Sequence, residues 1–304
     1  MFLALQKGIV EMDLIQEGRH FRLVPEFELT DILKLLDGYL PESLKLHQTI
    51  NIYIKNRIWD FHFYVSKEWP QKPVLIQFPG CTLTPGGNIY QSFSIFCPLS
   101  HLECVNLIET EDILINWKMP IYLHFTHSAI VDRLTDFYEK FGTMEQLICD
   151  ILILNNSQNA DLQVKDFLDE EAEIRPLTVN DVKLVHDHYP AKEIECVQLF
   201  ETLVGKLPAL GVFNKDTNEL ASWMLSSYYG AMFSMQTLPK YRRKGYGIQV
   251  AKALTKLVIE FNNVPFVAVL PHNAASQNLY IKLGFEKTYQ MSRVKMTPYA
   301  SISN

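Results

Sequence analysis

The chain lacks the marks of a disulfide-stabilised or zinc-binding protein. Its five cysteines are odd in number, and none of them forms a C-x-x-C pair. Cysteines without paired spacing indicate neither a disulfide framework nor a metal site. We therefore expect no metal, and buried, reduced thiols at Cys81, Cys97, Cys104, Cys149 and Cys196.

Long apolar runs are also missing. No stretch approaches the ~20 apolar residues that a transmembrane helix requires. A mitochondrial presequence is rich in arginine and poor in acids, whereas Glu11, Asp13 and Glu17 stand near the start of this chain. The sequence predicts a cytoplasmic protein with no membrane partner.

An excess of positive charge is absent as well. The formal net charge is -6, which argues against general affinity for nucleic acid, because phosphate binding needs a concentrated basic surface. With 304 residues, 48% of them hydrophobic, the chain is long enough for a sizeable core. Two compact halves are the expectation for this length.

One short stretch stands out against this acidic background, Gln236-Thr-Leu-Pro-Lys-Tyr-Arg-Arg-Lys-Gly-Tyr-Gly-Ile-Gln249. A strand over 231–238 precedes it, Pro239 ends that strand, and helical periodicity follows over 249–261. The two glycines therefore fall at a helix N-terminus. There the unpaired N–H groups and the helix dipole favour an anion, and glycine lets backbone approach it closely.

The turn matches neither of the common nucleotide-binding motifs, since it has no G-x-G-x-x-G and no G-x-x-x-x-G-K-S/T. Its pattern is Arg242-x-x-Gly245-x-Gly247. In this it resembles the GNAT superfamily of acyl-CoA-dependent N-acyltransferases, whose signature is Arg or Gln-x-x-Gly-x-Gly or Ala. A second superfamily motif is matched downstream, where Asn273 opens the segment Asn-Ala-Ala-Ser-Gln-Asn-Leu-Tyr-Ile-Lys-Leu-Gly-Phe.

The other half of the chain narrows the resemblance. Segments 39–45, 49–54 and 65–70 are similar to the N-terminal region of glycine N-acyltransferases and their relatives, and 237–242 is similar to the same family. The resemblance implies an α/β (α+β) GNAT fold, with a mixed, mostly antiparallel central sheet flanked by helices, in two tandem GNAT-like halves. Because that family includes mitochondrial enzymes, the resemblance also allows a mitochondrial location.

The same resemblance divides the chain into domains. We expect a degenerate GNAT-like N-terminal domain over 1–154, a linker over 155–171 and a GNAT N-acyltransferase domain over 172–304. The linker is rich in Asn, Ser and Gln and ends in an acidic cluster, which is typical of a solvated connection.

The resemblance also implies how a cofactor would bind. Acetyl-CoA or another acyl-CoA is expected as co-substrate, its pantetheine arm paired with the backbone of Gln236, Thr237 and Leu238. A backbone N–H near Thr237 or Leu238 would hold the oxyanion. The basic turn would surround the pyrophosphate. The predicted cofactor-binding residues are Gln236, Thr237, Leu238, Arg242, Arg243, Lys244, Gly245, Tyr246, Gly247 and Asn273.

Two residues of the downstream motif have competing interpretations. Tyr280 stands where the superfamily often places a tyrosine that protonates the departing thiolate, but it would also pack well on an amphipathic helix. Asn273 is expected to reach the CoA arm, although capping the helix would by itself explain an Asn there. Tyr280 is the one predicted catalytic residue.

A general base is not identified by the sequence. Glycine N-acyltransferases are thought to use a glutamate shortly before Thr237, and the matching position here is Ala231. An imidazole or carboxylate elsewhere would have to substitute, unless the amine arrives neutral. The candidates are His186, His188, Glu193, Glu195 and His272.

The expected function is transfer of an acetyl or longer acyl group from CoA to the amine of a small molecule. Glycine, another amino acid or a small arylalkyl amine is the acceptor in this interpretation. The absence of a glutamate at Ala231 keeps two alternatives open. One is a CoA-binding module with little activity, and the other is a protein N-acetyltransferase.

Overall fold

The computed structural model describes residues 14–84, 87–154, 162 and 171–299, with the backbone alone for 79–83. Two compact units divide the chain: Met1–Cys149 together with Tyr289–Asn304, and Asp150–Thr288. The predicted linker 155–171 lies outside the described residues apart from Leu162 and Glu171. Residues from Tyr289 onward group with the first unit, which differs from the predicted domain 172–304.

The first unit contains a mixed sheet with helices packed on it. Its strands are β1 (Phe21–Leu23), β2 (His62–Ser66), β3 (Leu75–Leu83), β4 (Ile89–Phe96) and β5 (Ile121–His127), with the start of β6 (Gly142–Ile153) and most of β12 (Glu286–Pro298). Its helices are α1 (Leu29–Asp37), α2 (Leu44–Lys55), α3 (Asn106–Glu109) and α4 (Ser128–Tyr138).

The strands of this unit are ordered β1-β2-β3-β4-β5-β12-β6. Strands β1 to β4 pair antiparallel in sequence, β4 and β5 are parallel over 91–93 and 121–123, and β12 runs antiparallel to β5. Strand β12 joins β5 by pairing Met291 with His127 and Met296 with Ile121. This ladder is the physical reason why the residues from Tyr289 onward group with the first unit.

The second unit has a four-stranded antiparallel sheet and a separate strand pair. The sheet runs β10-β9-β8-β7, and β11 pairs with the last residues of β6. Its strands are β7 (Ala172–Pro176), β8 (Ala209–Asn214), β9 (Leu220–Ser226), β10 (Met232–Thr237) and β11 (Phe266–Val269). Its helices are α5 (Val182–Asp187), α6 (Val197–Lys206), α7 (Tyr246–Glu260) and α8 (Ala274–Lys282).

Alternating strand residues give the second unit two apolar clusters. One gathers Met224, Met232 and Tyr280 against α7, and the other gathers Trp223 and Phe233 against α5 and α6. Successive side chains of a strand point to opposite faces, so the sheet separates the two clusters. Helix α5 begins after a short 3₁₀ turn closed by a capping box between Thr178 and Asp181.

The cysteines are placed largely as expected. Cys97, Cys104 and Cys149 are buried free thiols and Cys196 is half-buried, whereas the side chain of Cys81 lies outside the described residues. Within the described residues, no group of three His, Cys, Asp or Glu side chains is arranged to hold a metal ion. None of the described helices is long and apolar enough to span a membrane.

Candidate functional site

Strands β10 and β11 of the second unit meet at one point and then diverge. A single parallel bridge joins Ala231 to Phe266, just before β10 and at the start of β11. Beyond it, β10 is the edge of its sheet and β11 the end of its own strand pair. Two facing strand edges that are not paired with each other leave a slot where an extended ligand can add hydrogen bonds.

A bulge in β10 sets the direction of its last residues. The pairing with β9 shifts between Phe233 and Gln236, and Ser234 has a positive φ of 55°. Such an extra residue bends a strand and re-aims its side chains. The register after the bulge pairs Gln236 with Trp223 and Thr237 with Ser222.

Thr237 is the residue of this segment whose backbone faces away from β9. The Leu238 N–H donates to the Ala221 carbonyl at 2.9 Å, so positions 238 and 236 are turned toward β9 in the antiparallel ladder. The Gln236 carbonyl also accepts from the Ser222 hydroxyl at 2.9 Å. The intervening Thr237 N–H and C=O therefore point to the other side. The Leu238 N–H is already bonded, so of these two residues it is Thr237 whose N–H faces away from β9.

The basic turn leads directly into helix α7. Gly245 is the residue before the helix and adopts the left-handed conformation, with φ 83° and ψ 3°. A Cβ built at Gly245 would meet nothing within 4 Å, so open space lies beside it. Arg243 also has a positive φ, 65°. Residues in the left-handed conformation are typical components of the backbone nests that bind anions.

Gly247 brings the helix close to the end of β10. A Cβ at Gly247 would lie 3.3 Å from the Thr237 hydroxyl oxygen, a tight contact. That hydroxyl is 2.8 Å from the Ser222 hydroxyl. The first turn of α7 and the outward-facing Thr237 backbone therefore border the same space. The helix starts at Tyr246, three residues before the predicted start, because Gly245 caps it.

Positive charge at the turn comes from Arg242, Arg243 and Lys244, all of them exposed. The Arg242 Nε donates to the Thr237 carbonyl at 3.3 Å, which places that guanidinium beside the strand end. Lys240 is different, because its ammonium bonds the Glu219 carboxylate at 2.6 Å. That hydrogen bond raises the pKa of Lys240 and lowers the pKa of Glu219, so the two charges largely offset each other.

Tyr280 lies on α8 with its hydroxyl beside β10. The side chain is 3% exposed, and its ring contacts Phe285 edge-on at 5.4 Å. The hydroxyl lies 3.6 Å from the Met235 sulfur and 3.8 Å from the Met224 sulfur. Burial raises the pKa of Tyr280, so the phenol stays protonated. Thioether sulfur is a weak acceptor, and a stronger one nearby would readily take this hydrogen bond.

Helix α8 is held in place at both its start and its middle. The Asn273 side chain accepts from the Ser276 N–H at 3.2 Å, which confirms the expected cap. Gln277 donates to the Asp150 carboxylate at 2.9 Å, and Lys287 pairs with the other oxygen at 2.8 Å. Asp150 is 2% exposed and lies opposite Val269 in the ladder of β6 and β11. This network ties α8 to β6, the strand that pairs with β11 on one side of the slot.

The candidate bases lie in and after α5, with His272 as the exception. His186 Nε2 donates to the Glu195 carbonyl at 2.7 Å, and His188 Nδ1 donates to the Leu184 carbonyl at 2.9 Å. Each ring therefore already makes a hydrogen bond to a nearby backbone carbonyl. Glu193 and His272 are exposed, whereas Glu195 is 9% exposed. The Tyr280 hydroxyl contacts the sulfurs of Met224 and Met235. None of the five candidate bases is among these contacts, so the described residues do not identify a general base.

Ala231, where the resemblance would place a glutamate, is 1% exposed. Its carbonyl accepts from the Ser227 N–H at 2.8 Å, and its backbone forms the bridge to Phe266. The position thus lies at the closed end of the slot with no carboxylate.

Some residues of this region carried no recognisable sequence signal. Ser234, at the bulge, and Ser227 have buried hydroxyls with no hydrogen-bond partner among the described residues. Asp150 and Lys287 are too far apart in sequence for their pairing to be foreseen.

Comparison with known proteins agrees with this geometry. The profile of the FR47-like protein family matches residues 209–294, which include the turn, α7 and α8. No curated protein sequence matches the chain significantly.

Solved structures resemble a larger part of the chain. A Drosophila protein from a structural genomics programme has a TM-score of 0.79 at 20% identity, covering 92% of this chain and 99% of its own. A GCN5-related N-acetyltransferase from Sphaerobacter thermophilus has a TM-score of 0.54 at 9% identity, covering 91% and 95%. A tandem GNAT protein from the clavulanic acid biosynthesis pathway has a TM-score of 0.51 at 9% identity, covering 93% and 99%. The chain therefore has a mixed α/β GNAT fold, and the tandem protein supports two halves.

Proposed function

We propose, from this GNAT fold and its slot, that the chain is an acyl-CoA-dependent N-acyltransferase. It would transfer an acetyl or longer acyl group from CoA to the amine of a small molecule. The observation that carries the proposal is the junction of β10 and α7. There an outward-facing Thr237 backbone ends beside a helix that opens on a left-handed Gly245.

The donor would lie along this junction. The Thr237 C=O can accept from an amide N–H of the pantetheine arm, as in strand pairing, which leaves the Thr237 N–H for the oxyanion. The first N–H groups of α7 are unpaired within the helix, and with the helix dipole they favour the pyrophosphate. The positive charge that balances the pyrophosphate would come from Arg242, Arg243 and Lys244. The backbone would come close to the pyrophosphate at Gly245, Tyr246 and Gly247. The Asn273 Oδ1 accepts the capping hydrogen bond from the Ser276 N–H. The Nδ2 group of the same side chain would donate a hydrogen bond to the CoA arm.

The transfer step follows from the same geometry. The amine nitrogen attacks the thioester carbonyl carbon, and the Thr237 N–H stabilises the oxyanion, a contribution on the order of 3 kcal/mol for such donors. The carbon–sulfur bond then breaks and the electron pair leaves with the sulfur. Tyr280 gives its proton to the thiolate, since its buried hydroxyl is protonated and lies next to β10. The amine proton passes to water or to a base.

The acceptor is proposed to be glycine, another amino acid or a small arylalkyl amine. This finer assignment rests on the resemblance of the sequence to glycine N-acyltransferases. A carboxylate-bearing acceptor would need a cation, which the sequence does not identify. One observation favours a second candidate, a CoA-binding module with little activity: Ala231 offers no carboxylate at the closed end of the slot.

The assignment of the turn is tested by charge reversal at Gly245. We expect Gly245→Asp to weaken acetyl-CoA binding at least a hundredfold in calorimetry, because a carboxylate would stand among N–H groups that face an anion. Gly245→Asn is the matched control, since Asn has the same shape and also tolerates the left-handed conformation. It should weaken binding much less.

A second control separates damage to the unit from damage to the site. Gly205 stands near the end of α6 in the same unit, is exposed, and has no atom within 4 Å of a built Cβ. Gly205→Asp adds the same charge there and should leave the affinity for acetyl-CoA unchanged. Equal affinity in Gly245→Asp and Gly245→Asn would show that the turn does not hold the pyrophosphate.

A further inference from the structure

Helix α8 carries the proposed proton donor but has little apolar packing of its own. Tyr280 is the one buried residue within Ala274–Lys282, all of which the structure describes. Leu279 is partly buried, Ile281 is 56% exposed, and the next buried residue, Leu283, follows the end of the helix. A helix is held in place mainly by an apolar face buried against its neighbours. One buried side chain fixes the rotation of α8 about its axis only weakly, so polar contacts have to define it.

A buried carboxylate on β6 supplies such contacts. Asp150 is 2% exposed, and its Oδ2 accepts from the Gln277 Nε2 at 2.9 Å. The Lys287 ammonium lies 2.8 Å from Oδ1. Gln277 is half-buried and stands one turn after the cap of α8 at Asn273. Hydrogen bonds to an ionised acceptor are roughly twice as strong as those between neutral groups, so the bond from Gln277 attaches the helix firmly.

Asp150 also belongs to the ladder beside the slot. It lies opposite Val269, the last residue of β11, in the antiparallel pairing of β6 with β11. Residues 270–273 then connect β11 to α8, and the Asn273 N–H donates back to the Leu270 carbonyl at 2.9 Å. Asp150 therefore pairs with β11 through its strand and holds α8 through its side chain. These two attachments fix α8 relative to one side of the slot.

The bond from Gln277 sets the direction of the Tyr280 phenol. Gln277 and Tyr280 lie three residues apart on α8, which makes them neighbours on the helix surface. The Tyr280 hydroxyl lies 3.6 Å from the sulfur of Met235, and Met235 belongs to β10 on the other side of the slot. A rotation of α8 would move this hydroxyl away from β10. A misplacement of about 1 Å can lower the rate of a reaction about a hundredfold.

We propose that Asp150 is a positioning residue for the acyl transfer, which holds the Tyr280 hydroxyl beside β10 by fixing α8 through Gln277. This role rests on the proposed function, in which Tyr280 gives its proton to the departing thiolate. Asp150 itself neither binds acyl-CoA nor transfers a proton in this role. Loss of its bond to Gln277 should therefore lower kcat and leave the binding of acetyl-CoA intact.

Exchange of the amide for a carboxylate at Gln277 breaks the attachment. Gln277→Glu keeps the length of the side chain but offers Asp150 only acceptors at neutral pH. With acetyl-CoA as donor and glycine or phenylethylamine as acceptor, we expect kcat for thiol release to fall at least tenfold. KM for acetyl-CoA, and its affinity in calorimetry, should change less than about twofold. Asn278→Asp is the matched control, since it adds the same charge at the next, exposed residue of α8 and should change neither constant.

Substitution of Asp150 itself adds a rescue by the conservative variant. Asp150→Ala removes the acceptor and should lower kcat as much as Gln277→Glu does. Asp150→Asn keeps an oxygen that can accept from Gln277 and should retain kcat within about threefold. Thermal unfolding shows which variants stay folded. If Asp150→Ala fails to fold, the half-buried Gln277 decides the matter.

A double-mutant cycle separates the positioning of Tyr280 from general damage to the unit. In a Tyr280→Phe chain no hydroxyl is left to position, so adding Gln277→Glu should lower kcat by no more than about twofold further. General damage would lower kcat by the same factor in both backgrounds. Equal factors, or an unchanged kcat in a folded Gln277→Glu or in Tyr280→Phe, would overturn the proposal.

Fluorine NMR of the full chain labelled with fluorotyrosine provides a measurement that does not depend on turnover. The Tyr280 resonance is the one that Tyr280→Phe removes. We expect Gln277→Glu to shift this resonance and Asn278→Asp to leave it in place. An unmoved resonance in Gln277→Glu would rule out the attachment. A shifted resonance, with no amine-dependent thiol release by the wild type, would support the attachment and contradict the proposed function instead.

Discussion

At the scale of single residues, burial is the main cause of the raised pKa of Tyr64, Tyr138, Tyr280 and Tyr289. Tyr280 is surrounded by Phe285 and by two methionine sulfurs, and burial is the cause of its raised pKa. An acid in such surroundings keeps its proton until a base is formed beside it. A thiolate leaving group would be that base.

Removing the Tyr280 hydroxyl tests its role as a proton donor. We expect Tyr280→Phe to lower kcat about a hundredfold, within the usual range for general acid catalysis, with little change in KM for acetyl-CoA. The phenyl ring keeps its packing against Phe285, so the unit should stay folded. Steady-state thiol release measures both constants. An unchanged kcat would show that Tyr280 is a packing residue and does not donate the proton.

Tyr138 provides a residue-scale prediction in the other unit. Its hydroxyl is buried with no hydrogen-bond partner among the described residues, and burial raises its pKa to about 12. Between about pH 10 and pH 12 the unfolded chain loses this proton and the folded chain keeps it, so the free energy of unfolding falls as pH rises. Tyr64, whose pKa is also raised to about 12, contributes in the same direction.

Tyr138→Phe should therefore make the alkaline loss of stability shallower. At neutral pH its melting temperature should equal or exceed that of the wild type, because the lost hydroxyl had no partner among the described residues. Thermal unfolding at neutral pH and across the alkaline range from about pH 10 upward provides the comparison. An equally steep alkaline loss in the variant would contradict the assignment. The same variant serves as a tyrosine control for Tyr280→Phe.

At the scale of elements, local sequence patterns predict the strand, turn and helix around Gly245. They do not predict which distant segments pair with each other. The left-handed glycine, the proline that ends β10 and the cap at Asn273 are all readable from neighbours in sequence. The bulge at Ser234 is not, since it depends on how β10 must pair with β9. The Asp150 and Lys287 pair joins distant segments, which sequence spacing cannot reveal.

Substitutions at Asn273 can distinguish its role as the cap of α8 from its proposed contact with the CoA arm. Asn273→Ser keeps an oxygen acceptor for the Ser276 N–H and should preserve the stability of the unit, whereas Asn273→Ala should cost about 1 kcal/mol. Both variants lack the amide donor proposed to reach the CoA arm. We therefore expect both to weaken acetyl-CoA binding to a similar degree, measured by calorimetry beside chemical denaturation. Normal affinity in a stable Asn273→Ser would leave Asn273 as a cap alone.

At the scale of the whole molecule, the chain consists of two units that each contain a pair of strands joined in parallel. In the second unit this pair diverges beside a glycine turn and basic residues. The two-half fold was predicted from family resemblance, and similarity to a tandem GNAT protein supports it. The C-terminal residues group with the first unit because β12 pairs with β5, a long-range pairing that composition does not record.

We propose that acyl-CoA binds in the second unit. The second unit has a left-handed glycine and basic residues at the start of a long helix, whereas residues 97–109 of the first contain no glycine and no basic Lys or Arg. The specificity for glycine or another small amine stays a prediction, as does the cytoplasmic location. Both rest on resemblance or composition and not on a contact in the fold.

The release of CoA thiol in the presence of an amine is the most direct test of the proposed acyl transfer to a small amine. Purified chain would be incubated with acetyl-CoA and longer acyl-CoAs against glycine, other amino acids and arylalkyl amines, with Gly245→Asp as the matched inactive variant. We expect thiol release that requires an amine, saturates with amine concentration and is lost in Gly245→Asp. Tight binding of acetyl-CoA with no amine-dependent release from any acceptor would contradict it and favour the CoA-binding module.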